Sequence, residues 1–182
     1  MATVLFEIED IATSQKLCSE IIKVEPDNNQ ALVLLARISI GNADYSDAQK
    51  TLNKVLAVNP ENSDAHYYLG RICLETSSEE EAREHFNSAL NFASDRCSIL
   101  KNLGMIYMDR KEYVKAEEHF NMALTIDEDD SFTLSNLGKL LTITNRSEEA
   151  IKHLKKAIEI TPDYAFAYYN LAKAYQNLHD FP

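Results

Sequence analysis

Three histidines are the side chains in this sequence whose spacing first suggests chemistry. His85, His119 and His153 recur at one constant interval, each directly before a large apolar residue. Zinc needs histidine nitrogens at about 2 Å, whereas adjacent helices pack about 8 to 10 Å apart. Copies on successive helices are therefore poorly placed to share one ion. We interpret them as packing residues with one exposed edge and predict no metal site.

Two acidic runs, residues 79–81 and 127–130, could bind calcium or supply catalytic carboxylates. The first opens a predicted helix, where negative charge suits the helix dipole, and Ser78 with Glu81 has the spacing of a capping box. The second lacks the glycine and terminal glutamate of an EF-hand loop. No phosphate loop, nucleophile elbow, zincin motif or dinucleotide fingerprint occurs. The sequence therefore predicts neither an enzyme nor a cofactor.

The composition excludes several classes of partner. A net charge of -11 opposes contact with many phosphates, so nucleic acid is a poor partner. No apolar stretch approaches the roughly 18 residues of a membrane span, and the first residues have no basic leader region. Cys18, Cys73 and Cys97 form an odd set without metal-site spacing, which indicates reduced, packed thiols. We expect a cytoplasmic protein without membrane insertion.

One constant repeat frame runs through the whole chain. Leucines and alanines mark its 34-residue period: Leu35, Leu69, Leu103, Leu137 and Leu171; Ala48, Ala82, Ala116 and Ala150. A fixed period of this size is typical of a solenoid, in which each repeat packs on its neighbours. Such a protein presents an extended surface rather than a closed pocket, which favours binding over catalysis.

Each repeat contains two amphipathic helices. In residues 29–62 the first apolar set has the i, i+3, i+4, i+7 spacing of one helical face, and a second set follows before Pro60 ends the pattern. Only about four residues link the two sets, so the helices must run antiparallel. Glycine in a helix interior costs about 1 kcal/mol, yet Gly70, Gly104 and Gly138 fall in mid-helix. We expect close approach of small residues on the second helix to exclude a side chain there.

These residues carry a family resemblance. The pattern is clearest in the third full repeat: Leu100, Leu103, Gly104, Tyr107, Tyr113, Ala116, Phe120 and Ala123. On a 34-residue frame it resembles the tetratricopeptide repeat; a pentatricopeptide array, with its slightly longer period, fits less well. The resemblance implies an all-α, right-handed α-solenoid of antiparallel helix pairs, and it covers residues 1–182 as a single array. We predict full repeats at 29–62, 63–96, 97–130 and 131–164, with a partial repeat at 1–28 and a partial repeat or closing helix at 165–182.

In arrays of this family the first helices line a concave groove. Stacking places positions 2, 5, 6 and 9 of each first helix on that face. The side chains predicted to contact a peptide are Arg37, Tyr67, Tyr68, Arg71, Lys101, Asn102, Phe132, Asn136, Lys139, Phe166, Tyr169, Asn170 and Lys173. The same face includes Gln30, Val33, Leu34, Asp64, Ser98, Met105 and Ser135. Five cations and one acid make it basic on an acidic chain, which favours an acidic peptide.

One asparagine per repeat forms a ladder on this face, at Asn102, Asn136 and Asn170. A carboxamide both donates and accepts hydrogen bonds, so such a row can pair with successive peptide groups. It resembles the ladder of O-GlcNAc transferases. The alternative to ligand contact is a row of polar residues on the groove face that are hydrogen-bonded to their own neighbours or to water. The carboxylate clamp of chaperone adaptors is incomplete here, because Met105, Phe166 and Asn170 stand where asparagine, lysine and arginine are required.

Three functions stay open from the sequence. The first is a non-catalytic protein-protein interaction module that binds extended or helical peptide segments in the groove. The second is a substrate-recruiting arm of a larger enzyme, similar to an O-GlcNAc transferase. The third is a scaffold that forms homo-oligomers by stacking through its incomplete terminal repeats, where the last helix carries Tyr168, Tyr175, Leu178 and then Phe181.

Overall fold

The described part of the chain, residues 11–93 and 96–180 of a computed structural model, is all α-helix with connecting turns and contains no strand. Its helices are α1 (Ile11–Val24), α2 (Asn29–Gly41), α3 (Tyr45–Val58), α4 (Ser63–Glu75), α5 (Glu79–Phe92), α6 (Cys97–Asp109), α7 (Tyr113–Ile126), α8 (Ser131–Ile143), α9 (Ser147–Ile160) and α10 (Ala165–Asp180). The predicted all-α solenoid is confirmed. The part of the predicted partial repeat that precedes residue 11, together with Phe181, lies outside the described residues.

The chain divides into two compact units, residues 1–94 and 95–182. In the first unit each of the described helices α1 to α5 packs on the next, and α2 also contacts α4. In the second unit α6 to α10 follow the same order, with further contacts between α6 and α8 and between α8 and α10. Within each unit, therefore, successive first helices lie against one another as well as against their own second helices.

Four second helices, α3, α5, α7 and α9, each carry a stripe of fully buried residues. A stripe of small, large and small side chains recurs on each of them, and every member is 0% exposed: Ala48, Leu52 and Val55; Ala82, Phe86 and Ala89; Ala116, Phe120 and Ala123; Ala150, Leu154 and Ala157. The three positions of the stripe fall at i, i+4 and i+7, so they share one helical face. This face packs against the first helix of the same repeat.

The first helices bury more of their surface than the sequence pattern indicated. Positions 3 and 10 of each, counted from Asn29 in α2, are at most 4% exposed throughout the described chain. These residues are Ala31, Ala65, Ile99, Thr133 and Ala167, and Ile38, Ile72, Ile106, Leu140 and Ala174. A first helix packs on its own second helix and on neighbouring helices, so it buries two faces. The recurrence of a branched aliphatic residue at position 10 of α2, α4, α6 and α8 was the signal available in the sequence.

The explanation predicted for the mid-helix glycines is wrong in one respect. A Cβ atom added to Gly104 would lie 2.6 Å from Cε1 of Phe120, and one added to Gly138 would lie 2.5 Å from Cγ of Leu154. At Gly70 the corresponding contact is 2.9 Å from Cε1 of Phe86. The large residue of each second-helix stripe therefore covers the glycine, whereas the sequence suggested that small residues faced one another.

The turn inside each helix pair has a left-handed residue. Ala43, Ser77, Lys111 and Asn145 all have φ near 61°, where glycine is the least strained residue. The backbone N–H of the following residue donates to a carbonyl five residues earlier, as from Glu112 to Tyr107 at 2.8 Å. This is the Schellman arrangement that ends a helix.

The capping box predicted at Ser78 does not form, because its side chain makes no capping hydrogen bond. Side chains cap three of the first helices, α2, α4 and α8, and also the second helix α3, where Asp44 accepts from the backbone N–H of Asp47. Asn28, Asn62 and Asp130 each accept a hydrogen bond from the backbone N–H three residues later. A side-chain oxygen at this position satisfies a backbone donor that the helix leaves unpaired.

The three cysteines are buried thiols, as predicted. Burial raises the pKa of Cys18 and of Cys73, and the nearby Glu81 carboxylate raises the pKa of Cys73 further. Among the described residues, none of the helices is both long enough and apolar enough to cross a bilayer.

Candidate functional site

An apolar pocket of about 430 Å³ lies on the first-helix face of the second unit. Its walls come from α6, α8 and the residues at the start of α10: Met105, Met108, Asp109, Phe132, Asn136, Lys139, Tyr164 and Phe166. Three aromatic rings and two thioethers make most of this lining. Of the predicted contact residues, Phe132, Asn136, Lys139 and Phe166 are therefore brought together.

Packing among its own side chains shapes this pocket. The rings of Tyr164 and Phe166 lie 6.0 Å apart at 41°, and the Phe132 side chain is 37% exposed. Methionine adapts its shape more readily than branched residues do. The pocket thus combines three aromatic rings with two deformable side chains, Met105 and Met108, and it can accept apolar groups of different shapes.

The asparagine ladder is tied to its own helices. The amide nitrogens of Asn102, Asn136 and Asn170 each donate to the carbonyl four residues earlier, at 2.8 to 2.9 Å. Asn136 and Asn170 are also only 4% and 3% exposed. These bonds fix the orientation of the carboxamides and use one N–H donor of each. Each carboxamide therefore has fewer donors left for a peptide than the sequence analysis assumed.

Lys101 is neutralised by an acid that the sequence did not link to it. Its Nζ lies 3.1 Å from Oδ1 of Asp130, the capping residue of α8. Burial alone would raise the pKa of Asp130, but hydrogen bonds from Thr133 and the Lys101 ammonium group outweigh it and lower that pKa. The partial burial of Lys101 is likewise outweighed by Asp130, so its pKa is raised. Lys101 therefore adds little to the positive charge of the groove.

Helix α10, the first helix of the last repeat, contributes two exposed residues of the predicted contact set. Tyr169 is 58% exposed, and the Nζ atom of Lys173 lies 4.9 Å from the centroid of its ring. Neither lines the apolar pocket. A cation held over an aromatic ring at this distance is favourably placed for a cation–π interaction, which leaves the Lys173 ammonium group on the surface.

The first unit gathers the other predicted contact residues. The Tyr67 ring packs edge-on against Tyr68, with centroids 5.1 Å apart, and it also meets Phe86 at 5.9 Å. The guanidinium carbon of Arg37 lies 5.7 Å from the Tyr68 ring centroid. Arg37, Tyr68 and Arg71 line one hollow of about 300 Å³, whereas Tyr67 serves mainly to pack the helix pair.

Three other positions assigned to the groove face are largely or fully buried. Ser135 is 0% exposed, and its hydroxyl oxygen has no hydrogen-bond partner, so the prediction that it lies in the groove is wrong. Val33 and Leu34 belong to core clusters of the first unit and present only their edges to a surface hollow. They turn inward because the first helices bury a second face.

The histidines pack as expected, and one contact was missed. His85, His119 and His153 are all half-buried. Nδ1 of His85 lies 3.1 Å from Nδ1 of His66, whose Nε2 donates to the Pro60 carbonyl at 2.9 Å. Burial lowers the pKa of His85, and the neighbouring His66 lowers it further. No group of three or more His, Cys, Asp or Glu residues placed to hold a metal ion occurs in the described ranges.

The sequence matches established repeat families over most of its length. Residues 39–96 and 98–130 match models described as tetratricopeptide repeat, and residues 138–178 match one described as TPR repeat. A search of curated protein sequences gave no match.

Three solved structures show the similarity of the fold. Pseudomonas aeruginosa pilF aligns with a TM-score of 0.87 at 17% identity, over 98% of this chain and 82% of its own. A thermophilic TPR protein of Thermus thermophilus, TTC0263, aligns at 0.71 and 19% identity, over 96% and 95%. YrrB, described as a TPR protein with an unusual peptide-binding site, aligns at 0.71 and 19% identity, over 92% and 87%. These likenesses concern the fold.

Antiparallel helix pairs that recur along the chain, with first helices that line surface hollows, define an all-α helical-repeat protein. The family matches are more specific, and the chain belongs to the tetratricopeptide repeat family. Proteins of this family are in general non-catalytic interaction scaffolds that bind protein or peptide partners. In that general sense, this protein is an interaction scaffold.

Proposed function

We propose that the protein binds an extended peptide segment of a partner protein on the first-helix face of the second unit. The observation that carries this proposal is the apolar pocket formed by Met105, Met108, Phe132, Tyr164 and Phe166. A hollow of about 430 Å³ with aromatic and thioether walls suits one bulky apolar side chain of a peptide. Burial of such an anchor supplies most of the binding free energy in many interfaces.

Polar groups at the same pocket favour a peptide main chain beside the anchor. The Asn136 carboxamide lines the pocket in an orientation fixed by its bond to the Phe132 carbonyl. Lys139 and Asp109 also line it, and no ion pair joins these two in the described structure. Lys139 is half-buried, so a carboxylate that reached its ammonium group would be partly shielded from water. We therefore propose an acidic residue next to the apolar anchor.

A pair of matched substitutions tests the pocket. Phe132→Glu places a charge in the pocket at a side chain that is 37% exposed, so the fold should survive. Val114→Glu makes the same kind of change on α7, at a side chain that is 73% exposed and outside the pocket. Peptides selected from a displayed library against the wild type should bind Val114→Glu unchanged and lose at least about tenfold in affinity for Phe132→Glu. Equal binding to both variants would refute the proposal.

Two further variants separate the contributions of charge and main chain. Lys139→Glu should weaken acidic peptides more than their Gln-substituted versions, because only the acidic peptides lose a charge-assisted bond. Asn136→Ala tests the ladder, with Asn102→Ala as its control, since Asn102 makes the same bond to its own helix but does not line the pocket. If the ladder contacts the peptide here, Asn136→Ala has the larger effect.

Self-association is a second candidate function, favoured by one observation. Tyr168 and Tyr175 on α10 are 49% and 38% exposed, whereas Leu134 and Leu141 at the same positions of α8 are 2% and 1% exposed. Leu178 on α10 is also 40% exposed. Contact between copies would cover these side chains. Light scattering over a hundredfold range of concentration tests this candidate, and a constant monomer mass would exclude it. The alternative of a recruiting arm in a larger enzyme has only the asparagine ladder in its support.

A further inference from the structure

Helix α10 is exposed at the repeat position where earlier first helices are covered by their own second helices. Ala172 stands at the repeat position of Gly104 and Gly138. Phe120 covers Gly104 and Leu154 covers Gly138, whereas Ala172 is exposed. The surface around Ala172 is therefore a place where another helix can pack.

The packing inside the chain shows what a covering helix carries. On α7 the stripe is Ala116, Phe120 and Ala123 at i, i+4 and i+7, and all three are 0% exposed. Its large residue lies over position 8 of the first helix, which is a glycine in α6. Alanine fits there as well, since Ala36 at position 8 of α2 is 0% exposed and shares a core cluster with Leu52 of α3. A helix with such a stripe can therefore cover an alanine as well as a glycine.

Helix α10 itself carries such a stripe, and this stripe is exposed. Ala165, Tyr169 and Ala172 stand at i, i+4 and i+7 of the helix. All three are exposed, and Tyr169 is 58% exposed. Ala172 is thus both the position that a large residue covers and a member of a stripe. Two antiparallel copies of α10 can therefore cover each other, because Tyr169 of each copy can lie over Ala172 of the other.

The register of the α6–α7 pair fits two copies of α10 without a shift. With Tyr169 over Ala172 of the other copy, an antiparallel arrangement places Ala165 opposite Gln176 and brings Tyr168 beside Tyr175. Each contact then occurs twice, as a two-fold axis requires. Tyr168 and Tyr175 are 49% and 38% exposed, so the pair of helices covers three exposed tyrosines of each copy.

The chemistry of this face suits contact between copies. None of the six residues in this arrangement is charged, although 26% of the chain is charged, and the centres of protein interfaces are depleted in charge. Lys173 lies at the rim of the face, exposed, with its Nζ atom 4.9 Å from the Tyr169 ring centroid. The contact therefore buries aromatic rings and small side chains without burying a charge.

The buried stripes of a second copy cannot cover α10. Those of α3, α5, α7 and α9 are 0% exposed, and so are Ser14 and Cys18 at the first two stripe positions of α1. Contact of α10 with α1 of another copy would therefore require part of that copy to unfold, whereas the pair of α10 helices requires no rearrangement. A two-fold pair is also closed, so association stops at the dimer.

We infer that two copies of the chain form a dimer through antiparallel α10 helices, with Tyr169 of each copy over Ala172 of the other. This inference rests on the self-association candidate and gives it an interface and a register. One pair of helices about 24 Å long makes a smaller contact than the roughly 1,200 Å² of a standard interface. The net charge of -11 on each copy also opposes association. We therefore expect a weak dimer that added salt strengthens.

Sedimentation equilibrium of the full chain tests the interface by exchanging a large and a small residue. Protein concentrations up to about 1 mM keep a dimer with a millimolar Kd visible. Ala172→Tyr sets two large residues against each other and Tyr169→Ala sets two small ones, so each alone should weaken the dimer by about tenfold or more. The double variant again places a large residue opposite a small one and should return to within about threefold of the wild type. Both positions are exposed, so circular dichroism should show unchanged helix content.

The outcomes separate this interface from self-association in general. A double variant no better than Ala172→Tyr would overturn the register, and so would species larger than a dimer. A wild-type dimer that neither single substitution weakens would exclude the interface and leave self-association in place, whereas a wild type that stays monomeric throughout would remove both. Val114→Glu, on the 73% exposed side chain of α7, is the surface control and should leave the dimer unchanged. Neither Tyr169 nor Ala172 lines the apolar pocket, so the result is independent of peptide binding there.

Discussion

The covered glycines lead to a prediction in which one chemical change has opposite effects at two sites. In Gly104→Ala the new methyl group would lie 2.6 Å from Cε1 and 2.7 Å from Cδ1 of Phe120. Phe120 is 0% exposed and cannot swing into solvent. In Gly41→Ala the methyl group meets nothing within 4 Å, and the backbone φ at Gly41 is not positive. Gly41 is therefore a matched control within the same chain.

The magnitude follows from two opposing effects. Alanine is favoured over glycine in a helix by about 1 kcal/mol, with less expected at Gly41 because it is the last residue of α2. Overpacking a filled core costs about 1 to 3 kcal/mol. Gly104→Ala should therefore lower the free energy of unfolding by about 1 kcal/mol net, whereas Gly41→Ala should leave it unchanged or raise it slightly.

Urea unfolding followed by circular dichroism at the helix band measures both variants, since the chain contains no tryptophan to serve as a fluorescence probe. The slope with urea concentration must stay constant for the comparison to report stability. A Phe120→Val background removes the ring atoms that clash, and there Gly104→Ala should become neutral or stabilising. If Gly104→Ala stabilises the wild type as Gly41→Ala does, the ring does not cover Gly104 and the packing argument fails.

The remaining predictions concern turns and titrating groups. Lys111→Gly should raise the free energy of unfolding by about 0.5 to 1 kcal/mol, because glycine relieves a left-handed backbone; Asn145→Gly should change it less, since asparagine tolerates that conformation, and equal effects would contradict this account. The folded-state pKa of Asp130 is lowered, so its pairing stabilises the protein above the unfolded pKa of about 3.9 and is lost as the pH falls through the folded pKa. Asp130→Asn should therefore be less stable than the wild type at pH 7 by about 1 kcal/mol, and the difference should shrink below about pH 4; a constant difference would refute the pairing. The pKa of His85 is also lowered, so its neutral form is stabilising above the unfolded pKa of about 6.5 and stability falls as the pH drops from 7 to 5. His85→Gln should flatten that dependence in thermal melts, and an unaltered slope would exclude His85 as its cause.

The candidate site was predictable in part. The frame placed Phe132, Asn136, Lys139 and Phe166 on one face from spacing alone, and the structure brings these four to one pocket. The repeat frame could not show that Asp130 neutralises Lys101, because the two residues are 29 positions apart and belong to different helices. The five cations counted in the groove from the sequence therefore included Lys101, which is already paired with Asp130.

The mid-helix glycines were also predictable only in part. The repeat period identified them as positions without room for a side chain, and it identified the buried stripe of the second helices. Which residue fills the space above a glycine depends on the relative shift and rotation of two helices, and only the tertiary structure shows that Phe120 covers Gly104.

The sequence by itself determined the repeat, the helix pairs and most of the buried faces, because periodicity within a helix reports which side avoids water. The tertiary structure decided which side chains meet. It placed Arg37 and Arg71 on one hollow, bonded the asparagine ladder to its own helices and turned Ser135 inward. Such contacts are set by the packing of neighbouring helices, and a pattern read along one helix at a time does not contain them.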